Sequence, residues 1–128
     1  MANLSDYSEN KLLDHVLSTT AYTMPTQVYV ALYTTATDDA SAGTEVTGGA
    51  YARQAVDFAA ASGGAANPTA DVVFPEATAN WGTVTHVGLM DASSAGNRLF
   101  HGALTASKQI DSGDTFRIPL ADLDVALQ

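Results

Sequence analysis

Any chemistry in this chain has to come from three histidines and fourteen acids, because cysteine is absent. That removes disulfides, thiolate catalysis and cysteine metal sites together. His15 follows Asp14 on an amphipathic N-terminal stretch, where a surface role is the ordinary one. His86 and His101 sit on two strand-like runs either side of a Gly/Asn turn. Facing each other, they would make a cross-strand pair or two ligands of a metal. A tetrahedral site needs further ligands, so two plain strand histidines are the better reading. The acid pairs Asp38-Asp39, Asp111/Asp114 and Asp122/Asp124 fall in loops or on a wet strand face, where solvated carboxylates are commoner than a glycosidase pair. The first two have the residue types of a calcium loop, but the twelve-residue EF-hand pattern is missing. No nucleophile-elbow pattern accompanies the serines, which concentrate in turns. Gly48-Gly49 and Gly63-Gly64 lack the lysine that follows a phosphate-cradling loop. We therefore expect no catalytic residue, no metal and no cofactor, and a protein that is not an enzyme.

Tyr22, Tyr29, Tyr33, Tyr51 and Trp81 could line a sugar-binding face, but in a β domain aromatics more often fill the core or an interface. Trp81, just before the strongest strand, reads as a core plug. The net charge is −9, and the five basic residues, Lys11, Arg53, Arg98, Lys108 and Arg117, are scattered. Nucleic-acid binding needs clustered cations, and an anionic membrane repels such a chain. Charged residues make up only 15% of the sequence against 46% hydrophobic, a surface that is cheap to desolvate and so suited to protein contacts.

The elements that would hold these residues begin with a helix over 3–18. Asn3, Ser5 and Asp6 are acceptable caps, and Leu12, Leu13, Val16 and Leu17 form an apolar stripe. The helix should end near Leu17 to Thr19, ahead of Pro25. Residues 27–34 read as a central strand, 35–49 as a long loop, and 51–59 as a half-exposed strand. Short strands follow at 71–74, 83–90, 98–104, 115–118 and 123–127, with 83–90 and 98–104 forming the most secure hairpin. The expected fold is mainly β, an antiparallel β-sandwich or small barrel of about seven strands with one N-terminal α-helix. It should be one domain over 1–128, with an arm and helix at 1–24 and a β domain at 25–128.

Several ordered segments carry a resemblance. They are Met1 to His15 running on into Val28-Tyr29-Val30-Ala31-Leu32-Tyr33-Thr34, then Gly49-Ala50-Tyr51-Ala52-Arg53-Gln54, Trp81 to Asp91, and Leu99-Phe100-His101-Gly102-Ala103-Leu104. Together they resemble a family of small tailed-bacteriophage virion proteins often labelled phage tail fibre protein. The resemblance implies a virion component assembled in the host cytoplasm, with other virion proteins (major capsid or tail proteins) as partners. It brings no catalytic residues.

Because fibres are usually long and repetitive, a compact module suggests a capsid decoration or cement protein first. A small tail or tail-fibre-associated protein, or a host-glycan-binding module, is the alternative. We expect a homo-oligomer, with a trimer as the arrangement to look for, and neither nucleic acid nor membrane as a partner. The candidate interface residues are Leu4, Tyr7, Leu12, Val16, Val46, Tyr51 and Arg53, drawn from the arm and helix, the loop and the strand after it.

Overall fold

The computed structural model describes residues 3–18, 20–41 and 43–127. Thr19, where the sequence places the helix end, and Ala42, inside the 35–49 loop, lie outside the described residues, as do Met1, Ala2 and Gln128.

The chain opens with a two-residue strand, β1 (Asn3–Leu4), and then turns into α1 (Asp6–Leu17). Of the three candidate caps, Ser5 is the one used. Its backbone is extended (φ −79°, ψ 160°) and its hydroxyl accepts from the Ser8 amide at 3.3 Å. Asp6 and Glu9 then lie in the first turn, at the positive end of the helix dipole. Ser5 is fixed from the other side too: its amide donates to the Leu99 carbonyl at 3.1 Å and its hydroxyl to the Arg98 carbonyl. The cap is therefore also the bolt that fastens α1 to the sheet.

Five strands form an antiparallel sheet in the order β1, β7 (Arg98–Ile110), β6 (Gly82–Met90), β2 (Val28–Tyr33), β3 (Gln54–Val56). Two short ladders, β4 (Ala65–Ala66) with β9 (Val125–Ala126) and β5 (Val72–Val73) with β8 (Arg117–Ile118), complete the strands among the described residues. The main core lies between one face of the large sheet and these ladders. Val30, Leu32, Val84 and Leu89 meet Val72, Phe74, Phe116, Ile118, Leu123 and Val125 there. The arrangement is sandwich-like, with no closed barrel among the described residues.

β2 alternates as a central strand must when both faces are covered. Val28, Val30 and Leu32 point to the main core, while Tyr29, Ala31 and Tyr33 join Met90 in a second cluster on the opposite face. The hairpin of β6 and β7 forms as expected, but β7 runs on to Ile110 rather than stopping at Leu104. The half-exposed strand expected over 51–59 shrinks to Gln54–Val56, because Gly48, Gly49 and Ala50 turn with positive φ just before Tyr51 and Phe58 pairs with Pro68 in an isolated bridge.

One glycine is required by steric room alone. A methyl group on Gly88 would sit 2.9 Å from the Tyr33 ring and 3.2 Å from Cδ of Arg98. We predict that Gly88→Ala destabilises the fold by about 1–3 kcal/mol, the usual cost of overfilling a close-packed site; a chemical-denaturation midpoint equal to wild type would contradict this.

Candidate functional site

The second face of the sheet carries a polar cluster that simple alternation hides. The pairing of β6 with β7 slips by one residue between Leu89 and Met90: Leu89 faces Phe100, while Met90 faces Arg98. This β-bulge puts Arg98 on the same side as His101, three positions later, where regular alternation would part them. Both are buried. His101 lies opposite Gly88 and His86 opposite Ala103, so the two histidines share a face as diagonal neighbours.

Each histidine is held by a near neighbour. Nδ1 of His101 meets the Thr37 hydroxyl at 3.0 Å and Nε2 meets an Asp39 carboxylate oxygen at 2.8 Å. Nδ1 of His86 meets the Thr85 hydroxyl at 2.8 Å. His15 on α1 accepts from the Tyr22 amide at 3.0 Å, tying the following segment to the helix. Arg98 donates through Nη2 to the Asp38 carbonyl, while its Nε and Nη1 have no partner among the described residues. The Asp38 carboxylate takes the amides of Ala40 and Ser41, at 3.0 and 2.5 Å, and these hold its carboxyl below the usual carboxylate range. The loop acids thus shape turns. Asp6, Glu9 and Asp39 bring carboxylate oxygens within 4.8 Å of one another, but all three are exposed.

A second clamp anchors the same loop. Arg53 grips Glu45 with two parallel bonds, Nε to Oε2 and Nη2 to Oε1, both 2.8 Å, and Tyr51 donates to Oε2 at 2.6 Å. Burial alone would raise the Glu45 pKa, but the hydrogen bonds from Arg53 and Tyr51 outweigh it and hold it below its ordinary value. A depressed carboxylate pKa adds stability that is fully present above the unfolded value, about 4.3, and is lost as pH falls through the lower folded value. Acid titration of unfolding should therefore show a loss beginning below about pH 4.3 that Glu45→Gln flattens; an acid limb of unchanged steepness in that variant would refute the assignment.

The third feature is apolar and open. Ser8 is the only buried residue of α1. Leu12, Leu13, Val16 and Leu17 are 38, 55, 64 and 76% exposed, and Met24 beyond the helix is 79% exposed. Beside this ridge run two adjoining grooves of about 270 Å³ each, both bordered by Val28, Leu99, Phe100 and Leu127. One continues along α1 past Leu4, Ser8 and Lys11; the other runs toward Phe58 and Ala65. A more polar groove of about 580 Å³ lies between residues 102–108 of β7 and the segment 116–124.

The seven candidate interface residues fall into two groups. Leu4, Tyr7, Leu12 and Val16 lie on β1 and α1: Leu12 and Val16 are exposed, and Leu4 and Tyr7 are half-buried. Val46 is a core residue, 3% exposed. Tyr51 packs against the core, stacked on Phe74, and Arg53 is turned inward onto Glu45. Val46 thus presents no outer surface, while Tyr51 and Arg53 are half-buried with their polar groups spent inside the molecule. Trp81, read as a core plug, is buried, and its Nε1 donates to the Gly49 carbonyl at 2.8 Å.

A family model described as Podophage GP4 fiber I protein gp80 matches residues 3–126. The chain belongs to this family of phage fibre proteins. A search of curated proteins found no match. Apart from Met1 and Ala2, every segment that carries the sequence resemblance falls within the matched span. In this fibre protein those segments build α1, the three central strands and the turn into the Glu45 clamp. What sequence reasoning missed is that Glu45 and Arg98 turn inward, and that the exposed Asp38 and Asp39 meet Arg98 and His101 from the loop. The one available signal was a basic residue, Arg98, at the start of an otherwise apolar strand.

Proposed function

We propose that this chain is a non-enzymatic structural component of a phage fibre, present in the virion and acting through protein contacts rather than chemistry. The observation that carries the reading is the open ridge of α1. A helix whose apolar stripe faces water, next to apolar grooves, is a surface waiting for a protein partner. The family match backs a tail-fibre placement; it gives no specific support to capsid decoration, which therefore yields to the fibre reading. The glycan-binding alternative has less behind it, since Trp81 is buried and Tyr51 packs on Phe74.

The test is incorporation. Particles carrying the wild-type chain should contain it after purification, at a stoichiometry fixed by mass spectrometry. Particles made with Leu13→Ser, Val16→Ser and Leu17→Ser together should lose it, although the isolated variant keeps its melting temperature. Absence of the wild-type chain from purified particles would refute the reading.

A further inference from the structure

Residues 20–26 pass from α1 towards β2 as neither helix nor strand. Among the described residues they make one hydrogen bond in all, from the Tyr22 amide to Nδ1 of His15 at 3.0 Å. Thr20, Ala21, Thr23, Met24 and Thr26 are exposed, and Tyr22 and Pro25 are half-buried. A stretch with so few bonds and so little burial opens at low cost. Yet Tyr22, Met24 and Pro25 help to wall the apolar groove beside α1, which Leu99 and Phe100 also line. A strap fastened at a single point thus bounds that groove.

The fastening depends on protonation. A backbone N–H can only donate, so the histidine nitrogen it meets must offer a lone pair. Neutral imidazole has one bare nitrogen; imidazolium carries a proton on both. Protonated His15 therefore has no acceptor for Tyr22, whichever way its ring is turned. We propose that the His15–Tyr22 contact is a pH-operated clasp, closed while His15 is neutral, which releases the 20–26 strap from α1 when the imidazole takes up a proton. His15 is exposed, so the proton arrives from solvent with no prior unfolding. The device belongs to the chain itself and does not depend on which protein meets the surface.

The charges around His15 lock neither state. On α1, Lys11 lies one turn earlier and lines the same groove, so it opposes a second cation. Asp14 is the preceding residue, and His15 stands in the last turn, at the negative end of the helix dipole; both favour the proton. From the strap comes the Tyr22 phenol. Its pKa is raised, by burial first and then by Tyr7 and Asp91, so it stays neutral throughout the range in which histidine titrates. The rest of the molecule brings Val28, Leu99, Phe100 and Leu127 to this groove, none of which ionises.

The experiment is NMR of the purified chain between about pH 8 and about pH 5, the interval in which imidazoles change charge. At the alkaline end the ring nitrogen shifts of His15 should show the Nε2–H tautomer, with Nδ1 bare. Towards the acid end the protection of the Tyr22 amide against water exchange should fall roughly fivefold, the worth of one ordinary hydrogen bond. That step should track the titration of His15 rather than those of His86 and His101. His15→Ala should show the low protection at both ends. His15→Asn offers a side-chain carbonyl oxygen at the same remove from the backbone as Nδ1, and it takes up no proton. It should therefore keep Tyr22 protected at both ends. The position is exposed, so both variants should melt at the wild-type temperature.

A Tyr22 amide equally protected at both ends in the wild-type chain overturns the proposal. So does a step that persists in His15→Asn, which would place the switch at His86 or His101. Wild-type protection in His15→Ala would show that the strap is held by something other than this bond, and would overturn it as well.

Discussion

Arg53→Ala should destabilise the chain by about 3 kcal/mol and release the 34–46 loop before the rest unfolds. The size follows from what the guanidinium holds. Nε and Nη2 close the two-pronged contact with Glu45, and Nη1 donates to the carbonyls of Ala92 and Ala95 at 2.9 and 2.8 Å. One side chain therefore ties the loop carrying Glu45 to the turn between β6 and β7. Its removal leaves a half-buried carboxylate with only the Tyr51 hydroxyl, and two carbonyls short of a donor; stranding one partner of such a pair typically costs about 3–5 kcal/mol when fully buried, and less here because Glu45 keeps some exposure. Arg53→Lys should recover little of it, since an ammonium cannot match the planar fork. Arg53→Ala combined with Glu45→Gln should be milder than Arg53→Ala alone, because the stranded charge is gone. Hydrogen exchange gives the local readout. The amides of Thr34 and Val46, bonded to the carbonyls of Thr44 and Leu32, should lose protection first. Protection at both amides equal to wild type would show that the loop does not depend on this clamp.

The elements legible in the sequence are those whose pattern and burial agree. Val28–Tyr33 has no breakers and is apolar on both faces, and it is indeed a central strand covered on both sides. The hairpin of β6 and β7 announces itself through the Gly96-Asn97 turn. The two-residue strand at Ala65–Ala66 is another matter: its pairing is set by long-range contacts rather than by any local period, although its partner Val125–Ala126 falls inside the strand expected at 123–127. The polar face was hidden for a specific reason. A bulge of one residue at Leu99 exchanges the faces of everything before it, and nothing in Arg98-Leu99-Phe100-His101 marks that slip. Tyr51 and Arg53 are candidate interface residues because alternation puts them on one face of a half-exposed strand; here they and Glu45 satisfy one another and can turn inward. The helix was read correctly as amphipathic, but periodicity shows only that a stripe exists. Whether the chain itself covers that stripe is decided by the fold, and this fold does not cover it.

Phe74→Ala should be the most damaging single change, costing about 3–5 kcal/mol, the range for deleting a buried aromatic ring, and lowering the melting temperature by roughly 10–20 °C for a domain of this size. Phe74 is 1% exposed and stands at the centre of an aromatic cluster. It stacks on Tyr51 at 6.1 Å, and meets Trp81 and Phe116 edge-on at 6.4 and 5.9 Å. Tyr51 in turn meets Trp81 edge-on at 5.5 Å, so Phe74, Tyr51 and Trp81 close a triangle of rings, with Phe116 on its Phe74 side. The alanine variant opens a cavity among rigid rings that cannot collapse to fill it. Phe74→Leu keeps most of the volume and should cost under about 1.5 kcal/mol beyond the lost ring contacts. Trp81, the single tryptophan, reports directly: its emission should shift to the red in Phe74→Ala and stay near wild type in Phe74→Leu. The pair also separates folding from association. None of these rings borders α1 or the apolar grooves, so Phe74→Leu should assemble with wild-type affinity despite its lower stability. If its affinity fell in step with its stability, the helix face would not be acting as an independent surface on a folded scaffold.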